Sequence, residues 1–539
     1  MEFSEQEAKI IQPYFTNMDK PVFALRNLPE VVKGAMFSRY SRTDKSLRRV
    51  LLDEFINISE SGFGEIVSLE PLEAEKQIIA TKKAEEFYDR VLVGFGDDSV
   101  AELGGCHLAC ENVSNIATKI LEDARIGLSP LEKSTRYVFF NEKVNGEFKY
   151  YKDPVLMKSE FADLYAKTMN QLFETYTELI EPMKKYVIET NPREENTSDR
   201  AYNFTIRAKA CDVLRSLLPA STLTNVGIYG NGRAFEYLLT KMFSHQLTEI
   251  RELAFSMQEE LKKVIPSFVK RSNDDYGKQQ QAFLSETQKS LEQLSSNLLK
   301  IMHSSEGVRL VDFDENAETK IISAIIYAHS KFPYFQILEK VKNMKSEEKK
   351  IILNEYVNRR QNRRNKPGRA FEHAYYTFDL LGNFGMYRDL QRHRLLTQFK
   401  QDLTVENGYD TPKELIEAGF EEKYVECMQK AKQAFNEISK SFPKEAQYVV
   451  PLGYRIRWLA KFNLREAFHL IELRTTRQGH PDYRKMCQEI FLKIKEVHPG
   501  LVESMKFVDM NSYSLERLEA EKKLDKKMGQ MKEKQKNIN

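Results

Sequence analysis

The chain has 539 residues, too many for one typical hydrophobic core, so at least two domains are expected. Its 82 lysines and arginines nearly cancel 79 aspartates and glutamates, which removes any bulk electrostatic case for nucleic-acid binding. A composition of 41% hydrophobic and 30% charged residues suits a soluble folded protein, and no apolar run approaches the roughly 20 residues that span a bilayer.

The start, Met1-Glu2-Phe3-Ser4-Glu5, shows no basic leader followed by an apolar run, so a cytoplasmic setting is expected. Residues 1 to about 270 pattern as helices around a short strand-rich centre. Cys106 and Cys110 are four apart and could share a helix face, but no second Cys/His pair at zinc-site spacing accompanies them. With Cys211, Cys427 and Cys487 they read as buried free thiols, and no metal is expected. Ser272-Asn273-Asp274-Asp275-Tyr276-Gly277 is a turn-rich break that opens a linker, residues 271–307. Within it Leu291, Leu294 and Leu298 recur at helical spacing and predict a connecting helix with one buried stripe.

A second domain is expected over 308–515. Val308-Arg309-Leu310-Val311-Asp312 reads as its opening strand and Ile321–Ile326 as part of its first helix. From Phe371 to Gly382, polar or small residues partly alternate with aromatics, like a strand with one buried face. Arg392-His393-Arg394 follows. Arginine presents a planar fork of donors that grips phosphate at two points, so two forks around an imidazole make a compact anion clamp. The bland alternative is a solvated basic turn. Beyond about Leu515, residues 516–539 form a Glu/Lys-rich tail, expected as an exposed or frayed helix.

Phe371-Glu372-His373, the aromatic strand and Arg392-His393-Arg394 together resemble the flavin-dependent thymidylate synthase family. Asn463-Leu464-Arg465 with Arg474, and Pro451, resemble further family elements in the same order. In the first half Gly96–Glu102, Glu132-Lys133-Ser134-Thr135-Arg136-Tyr137, Arg215–Pro219, Asn231-Gly232-Arg233 and Glu249–Glu252 also follow family order. The resemblance implies an α+β protein of two tandem copies of the family fold, a twisted mixed sheet flanked by helices, forming a pseudo-dimer. It implies reductive methylation of dUMP to dTMP with FAD, NADPH and methylenetetrahydrofolate, without nucleic-acid or membrane partners. The fused chain would pair again into a pseudo-tetramer.

The family's nucleotide site is composite, and the two halves keep complementary parts of it. The second half retains Arg392 and Arg474, whereas Lys400, Asp402, Thr404 and Gln447 stand at the positions of the glutamate, serine and two arginines. The first half retains Glu132, Ser134, Arg136 and Arg215, but Ala124-Arg125-Ile126 replaces Arg-His-Arg, and Lys241 or Met242 stands at the ring-activating position. One dUMP site per chain follows, from Ser134, Arg136, Arg215, Arg392 and Arg474, the last activating the uracil ring. By the resemblance, FAD falls to Arg392, His393, Arg394, Asn231, Arg233, Glu132 and Ser99. The family histidine of Gly-His-x-Ser/Thr is Asp97 in one half and Pro367 in the other. The structural alternative is that the surviving arginines form surface or inter-domain ion pairs. The functional alternative is a non-synthase flavin- or nucleotide-binding paralogue with a regulatory or structural role, since fold alone does not fix activity.

Overall fold

A computed structural model describes residues 3–41, 43–57, 101–298 and 306–536. The chain starts with helices α1 (Glu5–Ile11), capped by Ser4, and α2 (Glu30–Tyr40). Strand β1 (Gly105–Ser114) runs into α3 (Asn115–Leu121), and β2 (Leu128–Glu132) follows. Cys106 and Cys110 therefore lie on a strand, not a helix, and all five cysteines are buried free thiols. After the hairpin β3 (Lys143–Val144) and β4 (Glu147–Phe148) comes the long helix α4 (Ala162–Thr190). Its buried Tyr165, Met169, Leu172, Tyr176, Leu179 and Met183 fall three or four apart on one stripe. Helix α5 (Asp199–Leu214) packs on it and leads through a 3-10 turn, Arg215–Leu217, to β5 (Leu223–Asn231). Helices α6 (Gly232–Phe243), α7 (Thr248–Lys262) and α8 (Asp275–Leu298) close the first half. The predicted buried stripe on α8 is a correction: Leu291, Leu294 and Leu298 are 55%, 60% and 78% exposed. Helical spacing specifies that leucines share a face, not that anything covers it.

The second half opens with β6 (Val308–Phe313) and α9 (Ala317–Ala328), as expected. A 3-10 turn, Arg369–His373, precedes β7 (Tyr375–Asn383), which feeds α10 (Phe384–Leu390). Next come β8 (Thr397–Lys400), α11 (Glu421–Ile438), β9 (Arg455–Asn463), α12 (Leu464–Arg474), α13 (Pro481–Val497) and the terminal α14 (Leu518–Lys536). In β9 Ile456, Trp458, Ala460 and Phe462 are buried while the alternating residues face outward, the period-2 pattern of a one-sided strand. The start of the expected charged tail is docked: Leu515, Glu516 and Leu518 are buried. Along α14, Arg200 meets Glu521 and Asp525, and Lys522 meets Glu194.

The fold is α+β with two copies of one element order. The first sheet has the order β1-β5-β2 and the second β6-β7-β9-β8. The second sheet is antiparallel throughout rather than mixed. Strands β5 and β9 both have nine residues and the same burial alternation, and each ends on an asparagine whose side chain caps the next helix.

Contacts divide the chain differently from the sequence halves. One compact unit is Met1–Val113, Ile120–Lys133 and Thr224–Lys300; the other is Ser114–Lys119, Ser134–Leu223 and Ile301–Asn539. The second unit thus holds α4 and α5 from the first half together with the whole described second half. Inside it, Pro219 bridges Pro451, its counterpart at the Asn231-to-Asn463 spacing of 232 positions. Around that bridge Leu452 N–H donates to the Leu218 carbonyl and Ala220 N–H to the Val450 carbonyl, both at 2.9 Å. Gly453 N–H to Ser216 and Ser221 N–H to Tyr448 repeat the relation at 2.9 and 3.2 Å. Each bond has a partner bond related by the same 232-residue shift. That reciprocity is the mark of a twofold interface, here inside one chain.

Candidate functional site

Four segments of the second unit bring charged groups together. The last turn of α5 carries Asp212 and the 3-10 turn after it Arg215, the loop Ser134–Arg136 lies beside them, the end of α10 supplies Asp389 and leads to Arg392 and His393, and α12 ends on Arg474. Arg136 is buried and grips Asp212 with both forks, Nε to Oδ1 and Nη2 to Oδ2 at 2.7 Å each. Its Nη1 donates to the Tyr483 hydroxyl at 3.0 Å. The Arg474 guanidinium carbon lies 5.4 Å from the same tyrosine ring's centre. Arg215, only 4% exposed, donates to Asp389 at 3.2 Å, while its buried Nη2 has no hydrogen-bond partner. Gly385 lies against that guanidinium, where a Cβ would stand at contact distance, 3.4–3.5 Å.

Asp389 is the electrostatic centre. Burial works to raise its pKa, but Arg215, Arg136, Arg474 and Arg392 outweigh burial and hold it well below the ordinary carboxylate range. Asp212 behaves alike: burial opposes ionisation, and Arg136 foremost, with Arg215, overcomes it. Arg136 and Arg215 thus act on both carboxylates, and Arg474 and Arg392 add to the field at Asp389.

Arg474 donates from Nε to His393 Nε2 at 2.9 Å, and His393 Nδ1 lies 3.0 Å from Glu466 Oε1. His393 is therefore buried with both ring nitrogens engaged. Arg394 is exposed and Arg392 half-buried. Ser134 Oγ accepts the Arg136 N–H at 3.2 Å. The remaining residues expected at the flavin belong to the first compact unit. There Glu132 is buried in β2, Asn231 accepts the Ala234 N–H as a helix cap, and Arg233 is an exposed partner of Glu102. Ser99 and Asp97 lie outside the described residues.

The mirror-related positions carry other contacts. Asp402 pairs with Lys444 at 2.8 Å, and Gln447 is buried with its Oε1 accepting the Leu403 N–H at 2.9 Å. Counting from the two capping asparagines, Met242, not Lys241, is the counterpart of Arg474; it is fully buried, whereas Lys241 pairs with Asp123. The family histidine position at Pro367 is occupied by a carbonyl that accepts from Arg465.

A cavity of about 520 Å³ opens beside the cluster, walled among others by Asp212, Arg215, Asn383, His480 and Asp482. Its size is within the range of small-molecule sites. Of the five residues expected at dUMP, only Arg215 lines it. Asp212, Asp389, Glu466, Tyr483 and His480 escaped sequence reasoning. The spacing Glu466-x-x-His469 on one helix face was the one local signal among them.

Three histidines near the cluster are held neutral, chiefly by burial: His393 and His480 fall below the ordinary value and His469 reaches about 4. The unfolded chain takes up protons below about pH 6.5 that the folded chain refuses, so stability is complete above that pH and declines beneath it. Each such proton costs about 1.4 kcal/mol per pH unit. Melting temperature should drop between pH 7 and 5, with a shallower slope for His393→Gln. A slope unchanged by that substitution would contradict a neutral His393.

The sequence profile described as thymidylate synthase complementing protein matches residues 53–267 and 309–500. The chain belongs to this family, the flavin-dependent thymidylate synthases. Two family segments in tandem agree with the repeated element order. A UPF0159 protein of Chlamydia muridarum (strain MoPn / Nigg) is 44% identical over 525 residues, covering 96% of this chain and 98% of its own. A UPF0159 protein of Chlamydia pneumoniae is 43% identical with the same coverage. One from Thermoplasma acidophilum is 34% identical over 528 residues, covering 92% and 99%. Among solved structures, a UMP/dUMP methylase, PolB from Streptomyces cacaoi bound with 5-Br dUMP, aligns over 40% of this chain and 100% of its own. Its TM-score of 0.31 at 16% identity is too slight to build on. No described helix is long and apolar enough to cross a membrane.

Proposed function

We propose that the protein is a flavin-dependent thymidylate synthase that methylates dUMP to dTMP at one composite site per chain, in the cytoplasm. The observation that carries this reading is the convergence of Arg136, Arg215, Arg392 and Arg474, two from each sequence half, around Asp389. Guanidiniums gathered in this way suit a phosphate monoester, which carries about −1.5 to −2 at neutral pH and accepts charge-assisted bonds from arginine. The unpartnered, buried Nη2 of Arg215 supports a ligand oxygen there, because an orphaned buried donor costs about 1–3 kcal/mol until satisfied. Ser134 offers a hydroxyl to phosphate or ribose. Arg136, with Asp212 and Tyr483 taking its donors, acts chiefly as the mount that holds the tyrosine ring beneath Arg474.

Arg474 is the group assigned to the uracil ring. Among the described residues its two Nη groups donate to no protein atom, which leaves them for an oxygen that gains negative charge as the ring ionises. The flavin chemistry fits these residues in part. Exposed Arg394 and half-buried Arg392 present cationic donors for a phosphate-bearing cofactor, whereas buried His393 has no nitrogen to spare. When bound, FAD reduced by NADPH would supply the hydride, and methylenetetrahydrofolate the carbon. Asn231, Arg233, Glu132 and Ser99 remain proposed flavin-side residues on the family resemblance alone, as do the two sequence halves as domains and the pairing of two chains.

The second reading, a nucleotide-binding paralogue without synthase activity, is favoured by the carboxylates Asp212 and Asp389 already pairing with Arg136 and Arg215. Colour and stoichiometry separate the two. A synthase should purify yellow or take up added FAD, bind one dUMP per chain by calorimetry, and form dTMP when all substrates are present. Two equivalent dUMP sites per chain would exclude the composite site, and dUMP binding without flavin uptake or dTMP would favour the paralogue.

A further inference from the structure

We infer that Glu466 is a positioning residue that sets the tautomer of His393 and, through that ring, aims Arg474. This rests on the reading of Arg474 as the ring-activating group. A guanidinium only donates, so His393 Nε2, 2.9 Å from Arg474 Nε, presents its lone pair. The neutral ring then carries its proton on Nδ1, which faces Glu466 Oε1 at 3.0 Å. Arginine chemistry thus determines the tautomer without reference to any observed hydrogen. The other tautomer would set an N–H against the Arg474 N–H and expel the guanidinium.

The helix builds this chain of contacts by itself. Asn463 caps α12, and its side chain accepts the Glu466 N–H at 2.9 Å, which pins Glu466 in the first turn. A carboxylate is favoured there by the positive end of the helix. Arg474 closes the same helix eight residues later, about 12 Å along the axis. His393, arriving from the segment after α10, spans the gap between the two side chains. Both His393 and Glu466 are buried, so neither contact is exchanged freely for water.

The same neighbourhood has metal-like spacing, with ligand atoms of His393, Glu466 and His469 all within 4.8 Å of one another. Spacing alone is insufficient. His393 has one lone pair, already taken by Arg474, and a cation would stand beside a fixed guanidinium. The carboxylate–histidine pair orients an arginine instead, as such pairs orient metal-bound rings elsewhere.

The test uses the full chain labelled with ¹⁵N-histidine. The expected result is one histidine locked as the neutral Nδ1–H tautomer from pH 5.5 to 8. Glu466→Ala should release it to a tautomer mixture, lower kcat about tenfold to a hundredfold, the range seen for outer-shell orienting partners, and leave the KM for dUMP nearly unchanged. Glu466→Gln, whose amide oxygen can still accept from Nδ1, should keep the tautomer and most of the activity. His393 assigned as Nε2–H or as a cation in the parent chain would overturn the inference even if both variants misfold. So would an Ala variant with unaltered tautomer and kcat, or stoichiometric zinc uptake by the parent that Glu466→Gln abolishes. Absence of dUMP binding by the parent would instead remove the synthase reading, while the tautomer measurement stands by itself.

Discussion

Asp212→Ala is expected to destabilise the second compact unit by about 3–5 kcal/mol, the usual cost of stranding one partner of a buried ion pair. Arg136 would keep its charge in a buried place with only the Tyr483 hydroxyl and the Gln478 carbonyl as polar contacts. The companion experiment decides whether the pair serves stability or the site. Replacing both members, Arg136→Met with Asp212→Leu, removes two desolvated charges together and should recover most of the loss in urea unfolding. Tyr483 would then lose its anchor, so dUMP turnover should stay impaired while folding recovers. Full recovery of activity in the double variant would show that the pair does nothing for the site.

The second large effect separates binding from chemistry. Arg215→Ala removes a charge-assisted contact to phosphate, worth about 1.5–3 kcal/mol, and should raise the KM for dUMP roughly tenfold to a hundredfold with kcat little changed. Arg474→Ala removes stabilisation of charge that develops only as the ring reacts, and should lower kcat about a hundredfold or more with KM little changed. Steady-state kinetics of dUMP-dependent flavin oxidation reads both. The same kinetic signature from both variants would place the two arginines in one role and refute the divided assignment. Their different origins matter here: one belongs to each sequence half, yet both flank Asp389.

How much of this was legible in the chain differs from residue to residue. Arg392, His393, Arg394 and Arg474 stood out because they sit in short motifs that resemble the family's, and a motif is local in the chain. The partial alternation from Phe371 to Gly382 sufficed to predict a one-sided strand, and β7 spans Tyr375–Asn383. Set against the family's motifs, the complementary losses, Lys400, Asp402, Thr404 and Gln447 against Ala124-Arg125-Ile126, implied one site per chain.

Tertiary structure decided which charges meet. Nothing about Asp212 in the sequence selects Arg136, 76 positions away, over any other arginine, and the Tyr483 hydroxyl lies 347 positions from the same guanidinium. Coulomb attraction has no sequence address; only packing brings a particular pair within reach. Burial was equally hidden, since identical helical spacing yields a packed stripe on α4 and exposed leucines on α8. His393 shows the division within one residue. Its place between two arginines is written in the chain, whereas its neutral tautomer follows from Glu466 and Arg474 lying on opposite sides of one ring.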